Sequence, residues 1–134
     1  MPACDQPRST QSKYRILYLG DDLKFIAAFR EAVNEAVYRL VACGDQGSAE
    51  LFLKSDISYD VILIDNDWRG KEGLELARVS RSQRHRKQMP IVLLSTAKLK
   101  QGMVVLTRQA GVVECVLKSA DMNELMTRVI TSDE

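Results

Sequence analysis

The stretch YDVILIDNDWRGKEG, residues 59–73, carries the clearest sign of the fold. Its apolar run at residues 61–64 is too short for a helix of its own and predicts a strand that is buried on both faces. Asp65 and Asp67 follow at once, and a helical pattern begins at residue 73. A carboxylate at the carboxyl end of a parallel strand faces the crevice where ligands bind, although Asp is also a common turn residue.

The composition of the 134 residues is that of one globular domain, with 46% hydrophobic and 28% charged residues. The net charge of +1 provides no overall attraction to nucleic acid or to a membrane surface. No apolar run approaches the roughly 20 residues of a membrane span. Residues 1–12 lack the apolar core of a secretion signal, and we expect a disordered tail there, followed by one domain over residues 13–134.

The cysteines are isolated and form no C-x-x-C pair; they are Cys4, Cys43 and Cys115. We expect reduced thiols in a cytoplasmic protein, with Cys43 and Cys115 buried. The single histidine, His85, lies in a basic run over residues 78–87, which argues against a histidine metal site. That run is interpreted as a solvated helix end whose cations suit the helix dipole. An acidic partner or nucleic acid is the alternative, and no aromatic residue in the run supports it.

Apolar periodicity divides the rest of the chain into alternating strands and helices. The predicted strands span residues 14–19, 38–43, 60–65, 91–94 and 112–117. The predicted helices span residues 23–36, 48–55, 73–83, 99–109 and 120–131. Short links between parallel strands imply right-handed βαβ crossovers. The prediction is therefore an α/β fold with a single five-stranded parallel sheet and helices on both faces.

Polar side chains stand at the carboxyl ends of four predicted strands, which lie along one edge of a parallel sheet. In chain order they are Asp21 and Asp22, Asp65 with Asp67 beyond it, Thr96, and Lys118. Clustered carboxylates repel one another, so a cation must offset them. Mg²⁺ prefers oxygen ligands and keeps several waters, which suits an open carboxylate cluster. A metal beside Asp65 would orient a phosphoryl donor for attack by the carboxylate, while Lys118 and Thr96 would hold phosphoryl oxygens.

The sequence resembles the receiver domain of the two-component response-regulator family over residues 14–131. The resemblance rests on the acidic pair, the strand-terminal Asp65, Thr96-Ala97 and Lys118, in the family's order, together with Gly73. It implies the (βα)₅ flavodoxin-like, CheY-like arrangement of the sheet.

The resemblance also implies a role for each residue. Asp65 is the phosphoacceptor, Lys118 pairs with the phosphoryl group, and Thr96 is the switch hydroxyl. The implied Mg²⁺ ligands are Asp21, Asp22, Asp65 and the backbone carbonyl of Asp67. The phosphoryl group comes from a sensor histidine kinase or a phosphotransfer protein, and the chain is no enzyme beyond self-phosphorylation from a donor and autodephosphorylation.

The resemblance places the output of the domain in a partner, because we find no output domain in the chain. The implied surface comprises the fourth helix, the fifth strand and the fifth helix, residues 98–109, 112–117 and 120–131. A downstream protein binds there in the family, and the same surface is also suited to forming a homodimer. We expect no direct contact with nucleic acid or a membrane.

Three positions depart from the family pattern: Arg69 and Ser119 replace prolines, and Cys115 replaces the aromatic switch residue. We interpret Arg69 as a solvated arginine, with a looser loop or an anion contact as the alternatives. A cis bond without proline costs ~2.5–4 kcal/mol, so we expect a trans Lys118–Ser119 bond. Cys115 cannot fill the space behind Thr96 as a ring does, which predicts a changed or quieter switch. Inert packing is the ordinary role of a strand cysteine, and a redox role is the alternative.

Asp67 and Lys98 occupy positions that tune the lifetime of the acyl phosphate in the family. Our hypothesis is that their opposite charges pair across the mouth of the site and hinder the attacking water.

Two other classes of protein remain open. A pseudo-receiver has the same fold but is never phosphorylated, and the three departures support it. An aspartate-nucleophile phosphatase of the haloacid-dehalogenase type also begins with Asp-x-Asp after a strand, as at Asp65 and Asp67. In those enzymes the acidic pair comes last in the chain, whereas here it comes first.

Overall fold

A computed structural model describes residues 14–34, 36–67, 71–83, 89–118 and 121–131. The strands are β1 (Tyr14–Leu19), β2 (Tyr38–Cys43), β3 (Val61–Asp65), β4 (Ile91–Ser95) and β5 (Glu114–Leu117). The helices are α1 (Leu23–Ala32), α2 (Gln46–Lys54), α3 (Lys71–Ser82), α4 (Gln101–Gln109) and α5 (Met122–Thr131). The predicted alternation of five strands and five helices is confirmed. The tail predicted at residues 1–12 lies outside the described residues.

The strands form one parallel sheet in the order β2-β1-β3-β4-β5. The order reverses between β1 and β3, so the connections leave these neighbouring strands toward opposite sides. A crevice opens at the carboxyl ends of strands at such a switch point. The sheet therefore places the end of β3 beside the loop that follows β1.

The sheet separates two apolar cores, because successive side chains of a strand point to opposite faces. On β3, Ile62 and Ile64 pack with the α2 and α3 side chains, including Leu53 and Leu76. The other face packs against α1 and α5, with the cluster Ile16, Tyr18, Phe29, Val61, Leu63 and Val129. All five residues of β3 and of β4 are buried, as the continuous apolar runs predict. Helices on both faces are thus confirmed.

Helix α1 ends at Ala32, so its predicted extension to residue 36 is wrong. Val33 is extended, and the side chain of Asn34 accepts a hydrogen bond of 2.9 Å from the Ala36 backbone. The Asn34 carbonyl also accepts from the backbone of Tyr38 at 2.9 Å, at the start of β2. Apolar spacing continues through this segment, but the Asn side chain competes with the helical hydrogen bonds and starts a turn.

The other element ends differ by one or two residues where capping decides the boundary. Helix α2 begins at Gln46 instead of residue 48, because the Asp45 side chain accepts a 2.9 Å hydrogen bond from the Ser48 backbone. Gly111 lies two residues after the end of α4 and has a φ of 99°. Strand β5 begins at Glu114 instead of residue 112. No helix in the described part of the chain is long and apolar enough to cross a membrane.

Gly111 is held between α3 and the sheet by Arg81. The Arg81 guanidinium donates to the carbonyls of Met89 at 2.6 Å and Gly111 at 2.7 Å. A Cβ built on Gly111 would lie 2.5 Å from Arg81 Nε. Backbone conformation and side-chain contact therefore both require glycine here.

Gly111→Ala is expected to lower the free energy of unfolding by about 1–3 kcal/mol, because alanine is strained at positive φ and displaces Arg81. Gly102→Ala is the matched control, since nothing lies within 4 Å of a Cβ added there on the exposed face of α4. The control should change stability by no more than about 0.5 kcal/mol, because Gly102 lies exposed in the first turn of α4. Urea unfolding measures both, and equal effects of the two substitutions would contradict the packing described for Arg81.

Candidate functional site

The carboxyl edge of the sheet brings three carboxylates around one ammonium group. Lys118 Nζ lies 2.8 Å from Asp22 Oδ2, 2.7 Å from Asp65 Oδ2 and 3.2 Å from Asp67 Oδ2. The backbone N–H of Lys118 donates to the Ser95 carbonyl at 2.8 Å, which ties the end of β5 to β4. The predicted convergence is thus present for Asp22, Asp65, Asp67 and Lys118.

Asp65 is the buried member of the cluster, with 1% of its surface exposed. Its Oδ2 accepts hydrogen bonds from Lys118 and from the Tyr18 hydroxyl, and its Oδ1 accepts from the Asp67 backbone N–H at 2.9 Å. An ionised carboxylate at this depth requires such partners, because its desolvation is otherwise too costly. Both oxygens are therefore directed by fixed donors.

Asp22 is both the N-cap of α1 and a partner of Lys118. Its Oδ1 accepts a hydrogen bond of 3.0 Å from the Phe25 backbone, and its Oδ2 faces Lys118. The hydrogen bond from Lys118, followed by that from Phe25, holds the pKa of the Asp22 carboxyl below its usual value. Asp21 is exposed, and among the described residues it makes no ion pair with Lys118.

Asp67 bridges Thr96 and Lys118 across the mouth of the site. Its Oδ2 accepts a hydrogen bond from the Thr96 hydroxyl and a second, of 3.1 Å, from the Thr96 backbone N–H. Partial desolvation opposes ionisation, but the hydrogen bonds from Thr96 and Lys118 prevail and lower the pKa of Asp67. Lys98 is exposed. The expected Asp67–Lys98 ion pair is absent between these described residues, because Lys118 and Thr96 already occupy the carboxylate.

Lys118 keeps its charge in this environment. Burial alone would lower the pKa of the ammonium, but its hydrogen bonds to Asp22 and Asp65 and the charge of Asp65 raise the pKa above its usual value. The charged ammonium therefore lies beside the buried carboxylate, where it can offset the charge of one phosphoryl oxygen.

Tyr18 is a site residue that sequence reasoning missed. Its hydroxyl donates to Asp65 Oδ2 at 2.5 Å and accepts from the Asp22 backbone N–H at 3.3 Å. Burial, followed by the hydrogen bond to Asp65, raises the pKa of the phenol above its usual value. The available signal was a tyrosine within a strand buried on both faces, because its hydroxyl must find a partner there.

The carboxylate donors fit a hard divalent cation such as Mg²⁺, since neither cysteine nor histidine is present among them. Within the described ranges, however, no three His, Cys, Asp or Glu side chains are grouped so that they could share a metal ion. Asp22, Asp65 and Asp67 instead converge on the Lys118 ammonium. A cation bound through Oδ2 of Asp22 or Asp65 would therefore share that oxygen with Lys118 or displace it.

Cys115 lies half-buried on β5, not buried as expected, because it borders an open apolar cleft. The cleft has a volume of about 170 Å³ and is lined by Ser95, residues 97–99, Val104 and residues 115–117. Cys115 Sγ is 3.8 Å from the Thr107 hydroxyl. The small side chain thus leaves space behind the loop that carries Thr96.

Several sequence expectations fall outside the described residues. They concern Arg69, the Lys118–Ser119 peptide bond, and the basic residues 84–87.

The model of the response regulator receiver domain matches residues 16–130 of the chain. The protein therefore belongs to the response-regulator receiver family, whose members are generally non-catalytic signalling modules. This match favours the receiver over the phosphatase class. No curated protein matches the chain.

Solved receiver structures share the fold at low sequence identity. A CheY-like receiver domain protein from Methanospirillum hungatei JF-1 has a TM-score of 0.77 and 17% identity, with 91% of this chain and 94% of that chain covered. The receiver domain of the sensor histidine kinase PA1611 from Pseudomonas aeruginosa PAO1, with magnesium in its active-site cleft, has a TM-score of 0.74 and 24% identity, covering 90% and 98%. The BeF3-activated DrrB receiver domain has a TM-score of 0.72 and 19% identity, covering 90% and 97%.

Lys118→Met is expected to lower the free energy of unfolding by about 3–5 kcal/mol at neutral pH, because it leaves Asp65 charged and buried without its cation. Adding Asp65→Asn should restore most of the loss, since the uncompensated charge is then removed. Denaturant unfolding of the two single variants and the double variant measures this coupling. Lys100→Met is the exposed control, and a loss at Lys118 no larger than at Lys100 would contradict the cluster.

Stability is expected to fall as the pH drops through and below the ordinary aspartate pKa of 3.8. The folded state lowers the pKa of Asp22 and Asp67, so the unfolded state binds more protons in this window. Changing both residues to asparagine should flatten the pH dependence measured by urea unfolding, and the asparagine side chain would still cap α1. Asp56→Asn serves as the exposed control. An unchanged slope in the variant with both substitutions would show that these contacts do not form.

Proposed function

We propose that the chain accepts a phosphoryl group on Asp65 from a sensor histidine kinase or a phosphotransfer protein. One observation carries the proposal: a buried, oriented carboxylate lies 2.7 Å from the Lys118 ammonium at the switch point of a receiver fold. Family membership alone would not distinguish an active receiver from an inactive one. The intact Asp65–Lys118 pair favours the active one.

The reaction is an in-line displacement at phosphorus. An oxygen of Asp65 forms the new O–P bond while the P–N bond of a phosphohistidine breaks, and its electron pair returns to the imidazole nitrogen. The other ring nitrogen carries a proton, so the imidazole leaves neutral. Lys118 then lies next to the added phosphoryl oxygens and offsets their charge.

Thr96 is the hydroxyl donor for a second phosphoryl oxygen in this proposal. In the present state its hydroxyl donates to Asp67 Oδ2. A transfer of this donor from the carboxylate to the phosphoryl group would move the loop that borders the Cys115 cleft. Because the cleft is open, this motion would be transmitted differently from that of a receiver with an aromatic ring at this position. Asp67 tunes the lifetime of the acyl phosphate through these contacts instead of through Lys98.

The residues that would hold Mg²⁺ are Asp21, Asp22, Asp65 and the backbone carbonyl of Asp67. When bound, the metal supplies positive charge to the phosphoryl oxygens. The magnesium in the cleft of the PA1611 receiver supports this assignment by analogy. Lys118 contacts only Oδ2 of Asp22 and of Asp65, and the exposed Asp21 makes no ion pair with it in the described part of the chain.

The partner-binding surface in this proposal comprises α4, β5 and α5. Apolar side chains are exposed here on α4 and around β5: Val105, Leu106, Val113 and Leu117. Such side chains are suited to a protein partner. A downstream protein is the first candidate and a homodimer the second.

A pseudo-receiver is the second candidate function. The observation that favours it is that Asp65 Oδ2 already accepts from both Tyr18 and Lys118, while Oδ1 accepts one hydrogen bond from the Asp67 backbone. In that case the domain would bind its partner without phosphorylation.

Incubation with Mg²⁺ and acetyl phosphate is expected to add one phosphoryl group, detected by intact mass. The gain should be lost in Asp65→Asn and retained in Asp56→Asn, the control at an exposed carboxylate. Beryllofluoride with Mg²⁺ should change the fluorescence of Trp68, the single tryptophan of the chain, which lies close to Asp65 in the sequence. No mass gain and no response to beryllofluoride would favour the pseudo-receiver.

A further inference from the structure

The Tyr18 hydroxyl connects the loop after β1 to the carboxylate of Asp65. It accepts from the Asp22 backbone N–H at 3.3 Å and donates to Asp65 Oδ2 at 2.5 Å. Lys118 contacts the same oxygen at 2.7 Å. Two donors thus share Oδ2, one a neutral phenol and the other an ammonium group.

The local sequence makes room for this phenol. A Cβ built on Gly20 would lie 2.7 Å from the Tyr18 hydroxyl and 2.6 Å from Asp65 Cβ. Any side chain at Gly20 would therefore displace either the phenol or the carboxylate. Glycine at position 20 therefore allows the Tyr18 hydroxyl to reach Asp65.

The phenol ring of Tyr18 is held in place by burial and by packing against Phe25. Tyr18 is fully buried, and its ring lies 5.3 Å from that of Phe25, centroid to centroid, on α1. A ring held in this way keeps its hydroxyl at one place, so that Asp65 Oδ2 meets a preorganised donor.

A hydrogen bond to an anionic oxygen is stronger than one to a neutral oxygen. As the O–P bond forms, the Asp65 carboxylate loses its negative charge and becomes a weaker acceptor. The contact with Tyr18 therefore stabilises the free carboxylate more than the transition state, and this difference slows the attack. Lys118 differs from Tyr18 because its full charge is also attracted to the incoming phosphoryl group.

We propose that Tyr18 is a positioning residue that holds the Asp65 carboxylate through its hydroxyl and limits the rate at which Asp65 accepts a phosphoryl group. This inference rests on the proposed function and adds a residue that regulates the rate of phosphorylation. The competing interpretation is that Tyr18 is a core aromatic residue whose hydroxyl merely bonds to the nearest acceptor.

Tyr18→Phe separates the two interpretations, because it retains the buried ring and removes only the hydroxyl. Tyr38→Phe is the matched control: it removes a phenol hydroxyl from β2 at the opposite, amino-terminal end of the sheet, where Tyr38 pairs with Tyr14. Thermal unfolding checks that both variants are folded. The phosphorylation rate is then measured against acetyl phosphate concentration at fixed Mg²⁺.

We expect Tyr18→Phe to raise the maximal rate constant about tenfold, equivalent to about 1.4 kcal/mol, with an unchanged half-saturating donor concentration. The Tyr38→Phe rate should equal that of the wild type. Phosphorylation of Tyr18→Phe but not of the wild type would also support the proposal, because Tyr18 would then block phosphorylation completely. A Tyr18→Phe rate equal to or below the wild-type rate overturns the inference while leaving the proposed function intact. Failure of both proteins to accept a phosphoryl group overturns the proposed function and the inference together.

A measurement on the wild type keeps the proposal falsifiable if Tyr18→Phe does not fold. The other three tyrosines, Tyr14, Tyr38 and Tyr59, lie at the amino-terminal side of the sheet, so a change in tyrosine vibrational bands on addition of beryllofluoride reports Tyr18. Ultraviolet resonance Raman spectra should show a weakened phenol hydrogen bond. Unchanged tyrosine bands in a protein whose Trp68 fluorescence responds to beryllofluoride overturn the inference.

Discussion

The ion pair between Lys118 and the buried Asp65 is the contact on which the site depends. An ionised carboxylate with 1% of its surface exposed is tolerable only with a cation and with donors to both oxygens. Lys118 reaches Asp65 because β5 lies beside β4 and β4 beside β3. The order of the strands, and not proximity in sequence, therefore creates the site.

The same contact links local structure to the rest of the fold. Asp22 caps α1 with one oxygen and faces Lys118 with the other, so the start of the helix and the charge cluster are held together. Asp67 connects the loop after β3 to Thr96 after β4. Any ligand that changes the partners of Lys118 thus acts on three loops at once. This coupling is what a two-state signalling domain requires.

Cys115, a departure from the family pattern, and Tyr18 border the site on two sides. Cys115 lines an open cleft together with Ser95 and Ala97, the neighbours of Thr96. Tyr18 adds a donor to the oxygen that Lys118 also holds. In our proposals the first change affects how the signal leaves the site, and the second how readily it enters. Both leave the Asp65–Lys118 pair intact, so the fold keeps its electrostatic basis while its response is adjusted.

The class of fold and the chain positions of Asp22, Asp65 and Lys118 could be predicted from the sequence, because buried strands and caps are local patterns of apolar runs and neighbouring polar residues. The sequence could not determine the turn at Asn34, where a side-chain hydrogen bond overrides apolar spacing. Only the tertiary structure decided which charges meet. Lys118 takes the place beside Asp67 expected of Lys98, and Tyr18 reaches Asp65, because these contacts join separate strands and depend on side-chain packing that no local pattern records.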